Sequence, residues 1–365
     1  MPIIAFVGIV TCFLRGGPVL LRSDRFLMIF LFYLTVSGLF QYNSKTFNYF
    51  GIYYVVFICF YMGGRQAFLY FKRDTTNKII LSVNLILFFL VLLDFSLRNF
   101  TSISLDDFVV RNKEATATFN QKYLRAYGFS TEPGILGFYF STIGLLPFIF
   151  IREKKLMYGY GFSFILAEMV VYSLAGVFAL LFGACVTLLA QPRISSFIFD
   201  QWKRILIGLI GILVFTKKGF IEGLVAKATF SASVTSSNHR AEIWKDALNK
   251  ITAEPFFGTG LGFLGSEGRG STISWFLWVA VESGLVGFLL LSCWLIVVLK
   301  EMLGGARTRK NLVCLVGLFA GIVHLSVISG FQHPYLFLLI AYSQASRIRN
   351  QKQMVVSQKA YASSY

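Results

Sequence analysis

Long apolar runs alternate with shorter polar connections along the whole chain. Because lipid offers no hydrogen-bond partners to the backbone, apolar runs of about 20 residues predict transmembrane helices. The pattern therefore predicts an all-α polytopic membrane protein of about 11 transmembrane helices, with residues 1–365 forming a single integral membrane domain. The predicted spans are 2–14, 25–42, 48–71, 78–97, 134–151, 156–171, 174–190, 204–216, 272–298, 311–329 and 334–346.

The apolar run 156–190 is too long for one ordinary span. The segment Ser173-Leu174-Ala175-Gly176 offers a place for a break, and two spans result if the run is divided there. A single long tilted helix is the alternative. It would reverse the side of the membrane for every connection upstream.

The basic residues predict the orientation of these spans. With eleven spans, the short connections rich in Lys and Arg all fall on one side, which the positive-inside rule makes cytoplasmic. These residues are Arg15, Arg22, Arg25, Lys72, Arg73, Lys78, Arg152, Lys154, Lys155, Arg193, Lys203, Arg204, Lys300, Arg307, Arg309, Lys310, Arg347, Arg349, Lys352 and Lys359. Residues 98–133 and 217–271 then form two structured extracytoplasmic loops.

Composition supports a membrane protein and excludes other classes. The chain is 56% hydrophobic and only 14% charged, whereas about a quarter of a soluble domain is charged. The net charge of +17 lies mostly in the short connections, so we predict no nucleic-acid partner. The cysteines lie inside apolar runs, which favours buried thiols over disulfides. The three histidines, at 239, 324 and 333, have no ligand cluster near them, so no metal or cofactor is predicted.

Three charged residues interrupt the predicted spans close to their ends. Arg65, Asp94 and Glu168 are explained there by snorkelling to the membrane surface or by pairing with a neighbouring group.

The smaller loop ends in Arg125-Ala126-Tyr127-Gly128-Phe129-Ser130-Thr131-Glu132-Pro133-Gly134. Proline is tolerated in a first helical turn, so Pro133 predicts the start of the next span. One interpretation is a plain helix start with Arg125 at the membrane interface. The other places a phosphate-binding Arg beside a carboxylate, Glu132, at the membrane surface.

The larger loop contains an amphipathic pattern followed by a glycine-rich run. Arg240, Trp244, Leu248 and Ile251 share one face of a predicted short helix, which Ser237 or Asn238 would cap and Pro255 would follow. One interpretation is a purely structural interfacial helix anchored by Trp244. The run Pro255-Phe256-Phe257-Gly258-Thr259-Gly260-Leu261-Gly262 lacks the Gly-Lys-Ser/Thr of a P-loop and faces outward, which excludes a nucleotide site.

Basic residues also occur on the predicted outer side, where the positive-inside rule disfavours them only in short loops. They predict a cationic basin for an anionic substrate beside the bilayer. These residues are Arg111, Lys113, Lys122, Arg125, Lys217, Lys218, Lys227, Arg240, Lys245, Lys250 and Arg269.

The order of the motifs between about 120 and 300 resembles the O-antigen polymerase (Wzy-type) and O-antigen ligase superfamily. The motifs are Arg-x2-Gly-Phe-x2-Glu-Pro, Arg-x3-Trp-x2-Ala-Leu, Pro-x2-Gly-x-Gly-x-Gly, and a span with Glu282-Ser283-Gly284-Leu285-Val286-Gly287. The resemblance implies a bacterial plasma-membrane glycosyltransferase that acts on undecaprenyl-diphosphate-linked oligosaccharides at the outer face. It also implies that Arg240 and Arg125 contact the diphosphate, and Arg269 is a third candidate diphosphate ligand.

Two features depart from the family pattern. Where a ligase has a His, this chain has Ile273, although the following Ser274 fits; the missing base argues for a polymerase or for another base. Members of the family often have twelve spans with both ends inside, so the first span is expected to be absent or truncated here.

Transfer of a sugar from a diphosphate requires charge stabilisation and a general base. The predicted catalytic residues are Arg240, Glu132, His239 and Glu282, and Glu267 is a further candidate base. A carboxylate inside a span, such as Glu282, is either functional or paired with a neighbouring helix. His239 is either a base or a loop residue without a role.

We therefore predict a metal-independent polymerase of oligosaccharide repeat units for O-antigen, capsule or exopolysaccharide. Its predicted partners are the lipid-linked substrate, the bilayer, a chain-length regulator and a flippase. The alternative is a ligase with lipid A core or another acceptor. A transporter or flippase is a third class, which predicts internal repeats and broken helices with charges near the midplane.

Overall fold

The computed structural model describes residues 20–101, 118–119, 123–124, 126, 128, 130, 132–171, 173–189, 234–266, 274–304, 308–327 and 332–362. Its helices are α1 Arg22–Phe40, α2 Thr46–Tyr70, α3 Arg73–Phe100, α4 Pro133–Ser141, α5 Pro147–Phe150, α6 Lys154–Val171, α7 Leu174–Leu189, α8 Val234–Ala253, α9 Phe263–Ser266, α10 Trp275–Leu303, α11 Arg309–Val327 and α12 Tyr335–Ala362. A π-helical segment, Val55–Gly63, lies within α2, and a 3-10 turn, Ile143–Leu145, joins α4 to α5. One antiparallel strand pair joins Thr118–Phe119 to Tyr123–Leu124.

The predicted helical fold class is confirmed, and several of the helices are long and apolar enough for a multi-pass membrane protein. In the described part of the chain these are α1, α2, α3, α10 and α11. The pair formed by Pro133–Ser141 and Ile143–Phe150, bent by 44°, makes a sixth if it is one span. The count of about 11 stays a prediction, and the predicted spans 2–14 and 204–216 lie outside the described residues.

The predicted break in the run 156–190 is confirmed, so the single long helix is wrong. Helix α6 ends at Val171 and α7 begins at Leu174. Ser173 stabilises the new helix start, since its hydroxyl accepts the Gly176 N–H at 3.1 Å. Helix α7 packs closely on α4: a Cβ added at Gly176 would lie 3.0 Å from Gly137 Cα, so the two helices touch through glycine backbones.

The centre of the helix assembly is aromatic. Phe57 of α2 makes edge-to-face contacts with Trp294 of α10 and Phe337 of α12, at centroid distances of 5.4 and 5.0 Å. Trp294 also stacks on Phe337 at 6.0 Å. All three side chains are buried, so they fix how α2, α10 and α12 pack against one another.

A buried polar network fastens the helices at the end where α2 finishes and α3 begins. Arg65 of α2 is fully buried and forms a salt bridge of 2.6 Å with Asp24 of α1. Gln344 of α12 accepts a hydrogen bond from Arg65 at 3.0 Å and donates to Glu301 of α10 at 2.9 Å. Of the two explanations predicted for Arg65, snorkelling or pairing, pairing is therefore confirmed. We call Asp24, Arg65, Glu301 and Gln344 the charged network.

Three other predictions about the spans are corrected or completed. Helix α12 runs to Ala362, well beyond the predicted end at 346, because no Pro or Gly follows to stop it. Asp94 pairs with Arg98 at 2.9 Å, as predicted for a charge near a span end. Glu168 is 4% exposed, and neither of its oxygens has a hydrogen-bond partner in the part of the chain that the structure describes.

Candidate functional site

Helix α10 is broken at Gly284, close to the end opposite the charged network. Gly284 has φ 64° and ψ −169°, inside a helix that otherwise runs from Trp275 to Leu303. Residues other than glycine rarely adopt this conformation, because a Cβ clashes with the backbone there. The break turns backbone groups on both sides of Gly284 outward, where they can bond to another segment.

That segment is the glycine loop, which we define as residues 255–262. Four backbone hydrogen bonds join it to α10: Thr259 N–H to the Val281 carbonyl at 2.9 Å, Gly260 N–H to the Glu282 carbonyl at 3.0 Å, Leu285 N–H to the Pro255 carbonyl at 2.8 Å, and Val286 N–H to the Phe256 carbonyl at 3.3 Å. The backbone groups exposed by the break are thereby satisfied inside the protein, as an apolar environment requires. Two segments that are separate in the sequence thus form one structural unit.

Two glycines make this close approach possible. Gly258 has φ 74°, and a Cβ added to it would lie 2.4 Å from the Gly284 nitrogen. A Cβ added to Gly284 would lie 2.3 Å from the Phe256 carbonyl oxygen. Both distances are far shorter than any real contact, so a side chain at either position would force the glycine loop away from α10.

The connection between α1 and α2 holds the glycine loop from its other side. The Gln41 side-chain amide donates to the Gly258 carbonyl at 2.9 Å. The Asn43 side-chain amide and the Thr46 hydroxyl both donate to the Leu261 carbonyl, each at 2.9 Å. These residues were not predicted to belong to the site, although polar side chains between two apolar spans were the available signal.

Glu282 lies beside the break and contacts the segment that follows the glycine loop. It is 1% exposed, and its Oε1 accepts the Leu264 N–H of α9 at 3.3 Å. The Gly262 N–H and the Trp278 indole also lie close to this carboxylate. Among the described residues, Glu282 therefore binds backbone of the segment after the glycine loop and not a charged side chain of a neighbouring helix. Its predicted catalytic role stays a prediction.

Helix α8 packs against α10 through a small buried face. Ala247 is 1% exposed and clusters with Leu264, Trp278 and Val281, with Ile251 at the edge of the cluster. The helical spacing predicted for Arg240, Trp244, Leu248 and Ile251 is confirmed, since all four positions belong to α8. Only Ile251 packs against the buried cluster, whereas Trp244 and Leu248 are 39% and 54% exposed.

The boundaries of α8 differ from the prediction at one end. The helix begins at Val234, so the predicted caps Ser237 and Asn238 lie inside it, and that prediction is wrong. It ends at Ala253, two residues before Pro255, as predicted. Phe256 and Phe257, which follow α8 in the sequence, are also exposed, each at 62%. These exposed apolar side chains suit the predicted interfacial helix.

The structure describes only some of the predicted site residues. The backbone of His239 and Arg240 belongs to α8, whereas their side chains lie outside the part that the structure describes. Arg125, Arg269 and Glu267 lie outside it altogether.

Glu132 is exposed directly before α4, and Pro133 begins that helix as predicted. The chain leading to Glu132 is fixed by two bonds: Gly128 N–H donates to Asp94 at 3.0 Å, and Ala126 N–H donates to the Val170 carbonyl at 3.0 Å.

The structure brings some of these residues together and leaves others apart. Glu282, the glycine loop and the helix that carries Arg240 form one unit. Glu132 is fixed instead to a second unit, made by α3, α4 and α6. Among the described residues, no hydrogen bond or ion pair joins Glu132 to Glu282.

Comparisons with protein-family models and with curated proteins found no match to this chain. The resemblance to polymerases and ligases therefore rests on the sequence motifs alone. What the structure adds is the spatial relation of two of those motifs.

Proposed function

We propose that the protein is a metal-independent glycosyltransferase that polymerises undecaprenyl-diphosphate-linked oligosaccharide repeat units. It would act at the outer face of a bacterial plasma membrane to make O-antigen, capsule or exopolysaccharide. The observation that carries this proposal is the backbone junction between the glycine loop and the break at Gly284. Two motifs behind the family resemblance meet in this junction, and the helix that bears Arg240 is packed onto it.

The proposed reaction is substitution at an anomeric carbon. The non-reducing-end hydroxyl of one lipid-linked repeat attacks the carbon that links the growing chain to its lipid diphosphate. The new bond forms between carbon and oxygen, the bond to the diphosphate oxygen breaks, and the hydroxyl proton passes to a base. Attack from the face opposite the diphosphate inverts the anomeric centre. Undecaprenyl diphosphate leaves with the negative charge, which Arg240, Arg125 and Arg269 would stabilise as preorganised guanidinium groups.

The two described candidate carboxylates, Glu132 and Glu282, differ in solvent exposure, and we assign them different roles for that reason. Glu132 is exposed, and its backbone carbonyl accepts the Ser130 hydroxyl at 2.9 Å, so we assign it the role of base, with His239 as the second candidate. Glu282 is buried and accepts a loop N–H, so we assign it the role of a positioning residue.

The apolar surface of α8 supports a substrate that lies in the membrane interface. Trp244, Leu248, Phe256 and Phe257 are large exposed apolar side chains on a segment with many polar residues. Such a segment lies flat in the headgroup region, where the diphosphate of a polyprenyl lipid also lies.

The distribution of charge supports an outward-facing glycine loop. Basic side chains crowd the opposite ends of the helices, where the positive-inside rule expects the cytoplasm. Those that the structure describes include Arg22, Arg25, Lys72, Arg73, Arg152, Lys154, Lys155, Arg309, Lys310, Arg347 and Arg349.

The test is a deletion strain complemented with variants, followed by a size profile of its lipid-linked and surface glycan. We expect deletion, and Arg240→Ala, to leave single repeat units. Wild type and the control Arg152→Ala, an exposed arginine at the opposite end, should restore long chains. Immunoblots of membranes must show equal protein. Normal chain lengths with Arg240→Ala would refute the role of Arg240, and long polymer retained on the lipid carrier after deletion would indicate a ligase.

A further inference from the structure

A cavity of about 320 Å³ opens at the end of the helices opposite the glycine loop. Four basic side chains line it, from Lys72, Arg73, Lys310 and Arg349, together with the aromatic residues Tyr70 and Phe71. Among the described residues, its lining contains no Asp or Glu. We call this the basic cavity.

Three separate helices hold these cations in place. Arg73 is the first residue of α3, and Lys310 is the second residue of α11. Arg349 comes from α12, and its guanidinium donates to the Phe71 carbonyl at the end of α2. Tyr342, on the same helix, donates to Asn77 of α3 at 3.1 Å, which fixes α12 against α3 beside the cavity. The arrangement is therefore part of the helix packing.

The charges in this cavity repel one another. Lys310 lies within electrostatic reach of both Arg73 and Arg349. The buried carboxylate of the neighbouring charged network is already engaged, since Asp24 pairs with Arg65. Glu301 accepts hydrogen bonds from Ser23 and Gln344. Lys72 and Arg73 are exposed, so solvent screens part of this repulsion, and an anion bound in the cavity would reduce it further.

A phosphate group has the chemistry that fits. It accepts several hydrogen bonds and pairs well with Arg and Lys side chains. Two helices also begin at this cavity, since its lining includes Arg73, the first residue of α3, and Lys310, the second residue of α11, and the positive ends of their dipoles favour an anion.

The position of the cavity indicates where the phosphate comes from. Candidate membrane spans end or begin at its rim, α2 at Tyr70, α3 at Arg73 and α11 at Arg309. Leu69, Tyr70 and Phe71 line the cavity beside the basic residues, and Tyr70 is 45% exposed. Apolar and aromatic side chains around a basic pocket at a span end are typical of the membrane surface.

We propose that the basic cavity binds the phosphate of an anionic phospholipid head group from the leaflet at this end of the protein. The proposal does not rest on the proposed glycan chemistry. It makes the cavity a lipid site that links α2, α3, α11 and α12.

The test uses the purified full chain, stripped of lipid and titrated with phosphatidylglycerol or phosphatidylcholine, with adducts counted by native mass spectrometry. The variant is Arg73→Gln with Lys310→Gln. Its control is Arg152→Gln with Lys155→Gln, two exposed residues at the same end that lie outside the cavity and remove the same charge. We expect wild type and control to prefer phosphatidylglycerol by at least tenfold. The cavity variant should bind it about thirtyfold more weakly, since two cationic contacts are lost.

Three results would overturn the proposal. Equal weakening in variant and control would mean diffuse attraction to the surface. Unchanged binding in the cavity variant would exclude these residues. Inorganic phosphate that binds as tightly as the lipid, with the same dependence on Arg73 and Lys310, would assign the cavity to free phosphate. If the double variant is not monodisperse, Lys72→Gln takes its place, with an expected weakening of about fivefold; full affinity there would also contradict the proposal.

Discussion

Helix α10 carries a glutamate near each end, and the two are held in opposite ways. Glu301 accepts hydrogen bonds from the Ser23 backbone and hydroxyl and from the Gln344 side chain, at 3.2, 3.1 and 2.9 Å. These bonds join three helices through side chains. Glu282 accepts a backbone N–H of α9, beside a break at which the helix exchanges hydrogen bonds with a loop.

This difference determines which substitutions each end of α10 tolerates. The charged network depends on compensated charge, because Asp24 and Arg65 are buried together. The junction at Gly284 depends on backbone shape, because its bonds need no particular side chain but leave no room for a Cβ. We therefore expect charge changes to matter most at the first end and changes of shape at the second.

The largest expected effect is at the charged network. Asp24→Asn removes the charge that compensates the fully buried Arg65, which should cost about 3–5 kcal/mol of stability. The measurement is thermal unfolding of the purified protein in detergent. Asp74→Asn, an exposed carboxylate near the same end, is the control and should change stability little.

A paired replacement sharpens this prediction. Asp24→Leu with Arg65→Met removes both charges, so it should be much more stable than Asp24→Asn alone. If the single variant unfolds within about 1 kcal/mol of wild type, the charged network does not fasten the helices as described.

The next effect is at the junction. Gly284→Ala places a Cβ 2.3 Å from the Phe256 carbonyl and strains a positive φ, so it should detach the glycine loop, at a cost of about 1–3 kcal/mol. We expect shorter glycan chains and faster proteolysis within residues 255–262. Gly159→Ala is the matched control, since a Cβ there meets nothing within 4 Å. Long chains and a protected loop in Gly284→Ala would show that the junction is dispensable.

A smaller effect separates two roles for Glu282. In Glu282→Gln an amide oxygen can still accept the Leu264 N–H, so a positioning role predicts chain lengths close to wild type. Glu282→Leu loses that acceptor, which should cost about 1–3 kcal/mol and shorten the chains. Loss of polymer in both variants, with the loop still protected from protease, would instead make Glu282 the base.

The smallest expected effect is a pH dependence at the connection between α11 and α12. Burial lowers the pKa of His333 from its ordinary value of 6.5. The unfolded chain therefore binds the proton more readily, so this contribution to stability is present above about pH 6.5 and is lost as pH falls. The His333→Gln variant should lose less stability on acidification than the wild-type protein loses. Identical pH profiles of the melting temperature would contradict this.

Local features of the fold were predictable from sequence. Pro133 starts a helix, Ser173 interrupts the run 156–190, and α8 stops before Pro255, because proline geometry and capping act over a few residues. The lengths of the apolar runs predicted most of the described helices. They gave the wrong end for α12, because that helix continues past its apolar run where no residue stops it.

Features that depend on distant contacts were not predictable. The motif glycines Gly258 and Gly284 were visible in the sequence, but nothing local shows that they touch. Likewise, the partner of Arg65 is set by how α1 packs on α2, and the buried face of α8 is set by where Ala247 meets Leu264, Trp278 and Val281. The basic cavity requires residues from α3, α11 and α12, so its existence follows only from their packing.

The central claim is that the glycine-loop end faces outward, where lipid-linked glycan is present. The direct measurement is labelling of intact cells with a membrane-impermeant maleimide, after Asn249→Cys on α8 or Glu153→Cys at the opposite end, two exposed positions. Wild type, whose cysteines lie in apolar runs, gives the background. We predict strong labelling of Asn249→Cys and background labelling of Glu153→Cys until the cells are opened. The reverse order would place the glycine loop in the cytoplasm, out of reach of its proposed substrate.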